Sequence, residues 1–349
     1  MKPALRWFGP DDPVRLEQLR QVPGVESVVS AIYDVPVGDP WTHTRVARLQ
    51  EQIELAGLRL EVIESIPVHE DIKLGRGARE SYVANYCESI RVLGELGIPV
   101  LCYNFMPVFD WTRTELHMRL RDGSLALAYD DAALGTIDLT RGTGDLPGWA
   151  TAYQADSLNE LLHAYEQIDA ARLWDNLAWF LERVVPVAEE AGVKLAVHPD
   201  DPPWPVFGLP RILTDAAAFE KLIGLVDSPA NGVTFCTGSL AASAHNDLPA
   251  MIRMLGARGR IHFAHCRNVK RTGPKQFHEV AHPSHYGDVN MFDVLCALDD
   301  VGFDGCMRPD HGRMIWGETG RPGYGLYDRA LGATYLQGLW EAITSERHT

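Results

Sequence analysis

The chain has 349 residues, of which 46% are hydrophobic and 23% are charged. This composition is typical of a globular protein with a sizeable core and excludes a disordered or fibrous chain. The formal net charge is −15, from 47 acidic and 32 basic side chains. Nucleic acids and anionic membranes need a basic surface, so we predict neither as a partner.

No stretch approaches the ~20 uninterrupted apolar residues of a membrane span. Residues 1–9 lack the apolar central region of a signal peptide, so we expect a cytoplasmic protein. The six cysteines are scattered and form no Cys-x-x-Cys pair. In that compartment such cysteines are usually buried and reduced.

Eight short apolar runs rich in Val, Ile, Leu and Phe recur along the chain. Most precede a segment of helix length, which is the pattern of repeated strand–helix units. The predicted strands lie near Leu5–Phe8, Val25–Ile32, Leu58–Glu64, Pro99–Phe105, Lys194–His198, Gly232–Cys236, Ile261–His265 and Asp304–Arg308. Eight such units close a barrel, so we predict an α/β fold in which residues 1–349 form a single (β/α)8 TIM-barrel domain.

Apolar residues at helical spacing occupy the intervals between the predicted strands. The clearest helix is Leu173–Ala191, which ends at Gly192. The other predicted helices are Thr44–Leu55, Arg79–Leu96, Asp215–Val226, Asp247–Gly256, Asn290–Asp299 and Tyr327–Thr344.

Two segments interrupt this alternation. A long insertion, about residues 110–169, follows the fourth strand, and an extended loop, residues 267–288, follows the seventh. Loops that follow barrel strands lie at the catalytic face, so we expect a lid or an oligomer contact there. Because the first insertion is apolar and contains Trp, we also expect a homo-oligomer.

Each of the last four strands is followed by a side chain that can bind a metal. These residues are His198, Cys236, His265 and Asp310. The carboxyl ends of barrel strands share one rim, so residues far apart in sequence can meet there. His, Cys and carboxylate groups bind divalent transition metals, and three or four of them with an open position are typical of a catalytic site.

Alternatives remain open for each residue taken alone. A single His at a strand end can be a hydrogen-bonded wall residue, and a single Cys can belong to the core. His262 and His265 are three apart on one strand and therefore face opposite sides. Only one of them can point into the barrel.

The eighth strand ends in a run of polar groups. Arg308 or Arg313 could hold a carboxylate, and His311 could move a proton or orient another group. Tyr324 lies in a glycine-flanked loop and could reach the site or pack as an ordinary loop tyrosine.

Several segments resemble one known family, the D-mannonate dehydratases of hexuronate breakdown, of the xylose-isomerase-like barrel type. The resemblance extends from the first strand to the last helix. The segments that carry it are Trp7–Gly9, Glu64–Lys73, Tyr103–Thr114, His198–Pro203 and Met307–Gly312.

The resemblance implies a lyase that removes water from D-mannonate to give 2-keto-3-deoxy-D-gluconate, with Mn²⁺ or Fe²⁺ as cofactor. A soft thiolate suits Fe²⁺ or Zn²⁺ better than Mn²⁺. The implied metal ligands are His198, Cys236, His265 and Asp310. The implied proton-transfer pair is His311 and Tyr324, and Arg308 would help to neutralise the sugar acid.

Further candidates for binding the sugar hydroxyls stand near the third and fourth strand ends, where rim hydrogen bonding is the alternative role. They are His69, Lys73, Asn104 and Arg113. Two rival functions are a metal-dependent sugar isomerase or epimerase on the same barrel, and a non-catalytic sugar-acid binding protein. An isomerase or epimerase would use more carboxylate ligands than this sequence offers.

Overall fold

The described strands fall into two sheets. A computed structural model describes residues 1–137 and 155–346. Its strands are, in chain order, β1 (Lys2–Arg6), β2 (Ser27–Ser30), β3 (Arg59–Glu64), β4 (Val100–Tyr103), β5 (Glu115–Arg119), β6 (Leu125–Asp130), β7 (Lys194–Val197), β8 (Asn231–Cys236), β9 (Ile261–His265), β10 (Val269–Gly273), β11 (Gln276–Glu279) and β12 (Cys306–Arg308).

The first sheet is a closed barrel of eight parallel strands in the order β1-β12-β9-β8-β7-β4-β3-β2. This confirms the predicted (β/α)8 fold. In the strand register, His265 lies opposite Cys236 on one side and opposite Arg308 on the other. The ends of β8, β9 and β12 therefore reach the same level of the rim.

The second sheet has four antiparallel strands in the order β10-β11-β6-β5. It joins the insertion after β4 to the loop after β9, with Phe277 of β11 opposite Tyr129 of β6. The sequence predicted both excursions at the catalytic face but not these strands. Pairing between segments almost 150 residues apart leaves no local periodic signal, and β5 is largely exposed.

The described helices are α1 (Leu16–Arg20), α2 (His43–Leu55), α3 (Glu70–Leu74), α4 (Arg79–Glu95), α5 (Ala155–Tyr165), α6 (Ala170–Ala191), α7 (Ala216–Leu225), α8 (Thr237–Ala241), α9 (Leu248–Gly256), α10 (Met291–Asp300) and α11 (Tyr327–Glu346). All the predicted helices are confirmed, and their ends agree within three residues. None of the described helices is long and apolar enough to cross a membrane.

Helix α6 shows how local chemistry sets the element ends. The Asp169 carboxylate accepts a hydrogen bond from the Arg172 amide and caps the helix, which ends at Gly192 with φ 70°. A left-handed residue at that position favours glycine, because a Cβ atom would be strained there. The buried face of α6 then packs between the barrel and α4.

The barrel interior is filled by side chains and is not a channel. The interior cluster consists of Ala4, Val29, Val62, Val100, Cys102, Ala196, Phe263 and Cys306. This layer closes the lower part of the barrel, as is usual for eight strands. A ligand can therefore enter only above it, at the carboxyl ends of the strands.

Candidate active site

A cavity of about 280 Å³ opens at the carboxyl ends of the barrel strands. This volume is near the lower end for small-molecule sites, roughly 300 Å³. Residues from several strand ends contribute to its wall, including Glu64, Asn104, His198, Arg308, Asp310 and Tyr324. As the sequence analysis predicted, residues that are far apart in the chain meet at this cavity.

His198, Cys236 and His265 form one buried cluster next to this cavity, and His198 borders it. Their ligand atoms all lie within 4.8 Å of one another. The Nδ1 atom of His198 contacts the Pro199 carbonyl at 2.7 Å. A carbonyl only accepts, so Nδ1 carries the proton and Nε2 keeps its lone pair for the cluster.

His265 supplies the observation that best fits a bound metal. Its side chain is fully buried, yet among the described residues Nδ1 has no hydrogen-bond partner. A buried polar atom without a partner is costly, and a metal ion would satisfy it. On the other side of the ring, Nε2 lies 3.1 Å from Arg308 Nε and 3.6 Å from Glu64 Oε1. Because Arg308 Nε also donates to Glu64 at 3.1 Å, Nε2 can carry the ring proton and leave the lone pair of Nδ1 for a metal.

The structure distinguishes His265 from His262. The His265 ring packs against Phe263 of the barrel interior, with centroids 4.6 Å apart. His262 faces the other way, and its Nδ1 contacts the Leu195 carbonyl at 2.8 Å. Burial lowers the pKa of His262 to about 4, so it is a neutral structural residue at ordinary pH.

Asp310 lies beside the cluster. Its Oδ2 is 3.6 Å from Cys236 Sγ, and its Oδ1 is 3.6 Å from His265 Nδ1. Burial opposes ionisation of Asp310, but His311, Arg308 and Arg267 outweigh it and hold the pKa well below its usual range. The residue has a left-handed backbone, with φ 65°, which is uncommon for a non-glycine residue and frequent at functional sites.

His311 connects the cavity to a buried carboxylate. Its Nδ1 lies 2.9 and 3.1 Å from the two oxygens of Glu279, and its Nε2 lies 3.0 Å from Tyr324 Oη. Arg267 Nη1 also approaches Nδ1 at 2.9 Å, although both groups can be donors. We place the proton on Nδ1, because a bare nitrogen would repel both carboxylate oxygens, whereas Arg267 Nη1 can donate to Glu279 instead.

The Glu279 carboxylate is held by two buried arginines. Arg113 Nη2 donates to Glu279 Oε1 at 2.9 Å, and Arg267 Nη1 donates to it at 3.0 Å. Burial opposes ionisation, but His311, Arg267 and Arg113 lower the pKa of Glu279 to about 2. Both arginines also donate to Asp201, Arg113 through two nitrogens at 2.8 and 3.1 Å.

Arg308 lies between the cluster and the third strand. Its Nε and Nη2 donate to the Glu64 carboxylate at 3.1 and 2.8 Å. Its Nη1 is 2.8 Å from Asp310 Oδ1 but outside hydrogen-bond geometry, so this contact is an ion pair. One guanidinium nitrogen is therefore available for an oxygen atom in the cavity.

The arrangement combines a cluster that could hold a metal ion, a hydrogen-bonded histidine–tyrosine pair and cationic groups. Comparison with known proteins identifies the family of the chain. Residues 1–349 match the model of the D-mannonate dehydratase (UxuA) family. The chain belongs to the D-mannonate dehydratase family. Mannonate dehydratase 2 of Halalkalibacterium halodurans is 56% identical over 345 residues, covering 99% of this chain and all of that protein.

Solved structures agree with this family membership. The crystal structure of mannonate dehydratase from Streptococcus suis serotype 2 is similar, with a TM-score of 0.93, 48% identity, and coverage of 99% of this chain and 96% of that one. D-psicose 3-epimerase from Clostridium cellulolyticum H10 has a TM-score of 0.53 and 15% identity, covering 99% of this chain and 97% of that one, which shows a common fold alone. The resemblance inferred from the sequence is thus confirmed.

The further candidates for binding the sugar hydroxyls do not all border the same cavity. Asn104 borders the central cavity. His69 and Lys73 border a neighbouring cavity of about 310 Å³, which shares Ser65, Asn104 and Asp110 with the first. Lys73 Nζ already donates to Glu70 at 2.7 Å and to the Met106 carbonyl at 2.8 Å.

Two predicted arginines do not border the cavity. Arg113 is buried behind it, where its guanidinium is occupied by Asp201 and Glu279. Arg313 forms ion pairs with Asp328 at 2.9 Å and Asp122 at 2.8 Å. Both side chains support the loops that surround the dehydratase site.

Several site residues had no recognised role in the sequence. Glu279 and Arg267 belong to the segment after β9, where only the predicted position at the catalytic face pointed to them. An aromatic wall beside His311 includes Trp111, whose ring centroid is 4.7 Å from that of His311. Phe8, at 4.7 Å from the ring of Tyr324, continues this wall. Both aromatics lie in segments that carried the family resemblance.

Proposed function

We propose that this cavity binds D-mannonate and eliminates water from it, giving 2-keto-3-deoxy-D-gluconate in hexuronate catabolism. As a member of the family, the chain is a hydro-lyase. The observation that carries the proposal is the position of the His311–Tyr324 pair beside the cluster of His198, Cys236 and His265. His311 Nε2 lies 3.7 Å from Asp310 Oδ1, which links the two groups.

The elimination needs a base for the proton on C2 and an acid for the hydroxyl on C3. We assign His311 Nε2 as the base, because Glu279 keeps the ring proton on Nδ1. Nε2 therefore carries no proton and has a lone pair that can accept one. Tyr324 then supplies a proton to the departing hydroxyl. Burial raises the pKa of Tyr324, so its phenol is protonated at neutral pH and can donate.

Removal of the C2 proton adds negative charge next to a carboxylate, which is why this proton is weakly acidic. Fixed positive groups near the carboxylate reduce this cost, since they need no reorganisation as the charge develops. Arg308 is one such group, and its Nη1 lies 2.8 Å from Asp310 Oδ1. The surrounding carboxylates hold the guanidinium in place, which preserves its orientation.

The residues that would hold the divalent metal are His198, Cys236, His265 and Asp310. Their donor set of two imidazoles, one thiolate and one carboxylate suits a transition metal, and His265 Nδ1 is otherwise unpaired among the described residues. When bound, the metal supplies a Lewis acid that polarises substrate oxygens. We propose Mn²⁺ or Fe²⁺, and the thiolate favours Fe²⁺.

The charges of the cavity also suit a monoanion. Four arginines border it, and they are matched by four carboxylic side chains, namely Glu64, Asp110, Asp201 and Asp310. A divalent metal with the Cys236 thiolate leaves one positive charge in excess. The site can thus attract a sugar acid although the whole chain carries a charge of −15.

The test is to assay metal-stripped protein, and the same protein restored with Mn²⁺ or Fe²⁺, for the 2-keto product from D-mannonate. We expect product only after metal is restored. An epimerised sugar acid without a 2-keto product would favour the isomerase or epimerase. Binding of D-mannonate without turnover under any of these conditions would favour a binding protein.

Three further assignments remain proposals. Asn104 is placed to bind a substrate hydroxyl, because it borders both cavities. His69 and Lys73 could contact only a ligand that extends into the neighbouring cavity. The predicted homo-oligomer and cytoplasmic location stay predictions.

A further inference from the structure

Arg321 differs from the other arginines of the cavity in having no carboxylate partner. Arg308 and Arg6 contact Glu64, and Arg267 contacts Asp201, Glu279 and Asp310. Among the described residues, the Arg321 guanidinium has neither an ion pair nor a hydrogen bond. Its side chain is exposed, yet it borders the cavity. It is a free cation at the mouth of a site for an anion.

An aromatic ring holds this guanidinium in position. Its central carbon lies 4.1 Å from the centroid of the Phe8 ring, and that of Arg6 lies 4.6 Å from the same centroid. A cation over an aromatic face is attracted by the negative potential of the ring. The contact reduces the number of orientations that Arg321 must give up on binding a ligand.

The loop that carries Arg321 also carries Tyr324, and it is tied at several points. The Tyr324 amide donates to the Arg321 carbonyl at 2.9 Å, and the Gly312 amide donates to the Gly323 carbonyl at 2.9 Å. Glu318 accepts hydrogen bonds from the amides of Leu326 and Tyr327. These bonds fix Arg321 relative to both Tyr324 and the segment of His311.

Arg6 adds a second donor at the same end of the cavity. Its partly buried side chain donates from Nη2 to the Glu64 carbonyl at 2.8 Å and from Nη1 to the Glu64 carboxylate at 3.4 Å, but Nε has no hydrogen-bond partner among the described residues. Its guanidinium lies 5.7 Å from the ring centroid of Tyr324. The proposed proton donor, Tyr324, therefore has a cationic group beside its ring.

We propose that Arg321, stacked on Phe8 and backed by Arg6, binds the carboxylate of the substrate and sets the preference for sugar acids over neutral sugars. The inference rests on the proposed function and deepens it. Arg308 Nε and Nη2 already donate to Glu64, so only its Nη1 remains for a ligand. Arg321 can use two guanidinium nitrogens at once for a bidentate contact with a carboxylate. The Arg321 contact is thus the main determinant of charge recognition.

The experiment compares Arg321→Gln and Arg321→Lys with wild type for a charged and a neutral ligand. The charged ligand is D-mannonate, and the neutral one is D-mannonamide, tested as a competitive inhibitor. Loss of a charge-assisted contact should lower kcat/KM for D-mannonate by about 10- to 100-fold, mainly through KM. Arg321→Lys keeps the charge but loses the fork, so it should recover only part of this loss, and the inhibition constant of the amide should change less than about twofold for both variants.

Arg258→Gln is the matched control, because Arg258 is an exposed arginine outside the cavity with one ion pair, to Glu220 at 3.6 Å. It makes the same change in net charge and should leave both ligands unaffected. Equal losses for the acid and the amide, or no loss for the acid, would overturn the proposal.

Direct binding separates this inference from the proposed function. Calorimetric titration of metal-loaded protein with D-mannonate gives a Kd even without turnover. If wild type binds D-mannonate but forms no product, the proposed function fails, and the Kd of Arg321→Gln still tests the contact. If wild type does not bind D-mannonate at all, both are overturned.

Discussion

The two nitrogen atoms of His311 have different surroundings, and this difference assigns its role. Nδ1 faces a carboxylate that two arginines keep ionised, and Nε2 faces Tyr324 and the metal-binding cluster. We therefore propose that Glu279 acts through His311, as a positioning residue that selects the tautomer. The arrangement is comparable to other histidine bases that are oriented by a buried carboxylate.

Glu279→Gln should lower kcat about 10- to 100-fold with little change in KM or metal content, because the amide cannot hold the His311 proton on Nδ1 as firmly. Glu279→Asp should keep part of the activity. Steady-state kinetics and metal analysis of the purified proteins check this. Glu115→Gln, an exposed change on β5, is the control. A Glu279→Gln protein that is folded, metal-loaded and fully active would refute the positioning role.

Among the secondary-structure elements, the four-stranded sheet places Glu279 next to His311. β11 ends at Glu279 and pairs with β6, and Arg113, which donates to Glu279, lies just before β5. Phe277 anchors this pairing, since it is buried and its ring stacks on Tyr129 with centroids 5.7 Å apart. Two insertions, one after β4 and one after β9, thus build one support for a single side chain.

Phe277→Ala should weaken this sheet and reduce kcat while the barrel stays folded. Removal of a buried Phe ring lowers the free energy of unfolding by about 3–5 kcal/mol, and here we expect the loss of stability to be confined to a sheet outside the barrel. Hydrogen exchange should show lost protection in residues 269–279 and retained protection in β8 and β9. Met118→Ala, on the partly exposed edge strand β5, should change neither. Uniform loss of protection throughout the barrel would contradict a separate role for the sheet.

The sequence could predict the elements whose signals are local. The periodic helices, the eight barrel strands and the polar groups at their ends all lie in short windows, and the order of the barrel then brings His198, Cys236 and His265 together. The choice between His262 and His265 needed the strand register and the direction of each side chain. Glu279 could not be identified, because its role depends on pairing between two distant segments.

The same limit applies to arginines. Arg313 was a candidate for holding the substrate carboxylate and Arg113 a candidate for binding sugar hydroxyls. Each instead forms ion pairs with acidic side chains, most of them distant in sequence. Arg321 gave no signal of its own, since its distinction is the lack of such a neighbour among the described residues. Only the folded arrangement separates an arginine that is paired from one that is available.

Across the molecule, the proposed metal site would link four strand ends, and we expect bound metal to stabilise the native state. A ligand that binds only the folded protein adds about 2.7 kcal/mol to the free energy of unfolding at 100 times its Kd. We therefore expect metal-stripped protein to have a lower Tm, which Mn²⁺ or Fe²⁺ restores. Cys236→Ala should lose both the metal-dependent increase in Tm and the bound metal. An equal increase in Cys236→Ala would place the stabilising ion elsewhere.

The central claim is that His311 acts on D-mannonate beside an intact metal site. The most direct measurement is to follow D-mannonate by NMR with wild type and His311→Asn at equal metal content. We predict that wild type forms 2-keto-3-deoxy-D-gluconate and that His311→Asn is slower by at least about 10²-fold. A metal-loaded His311→Asn protein as active as wild type, or metal-loaded wild type that forms no product, would contradict the account.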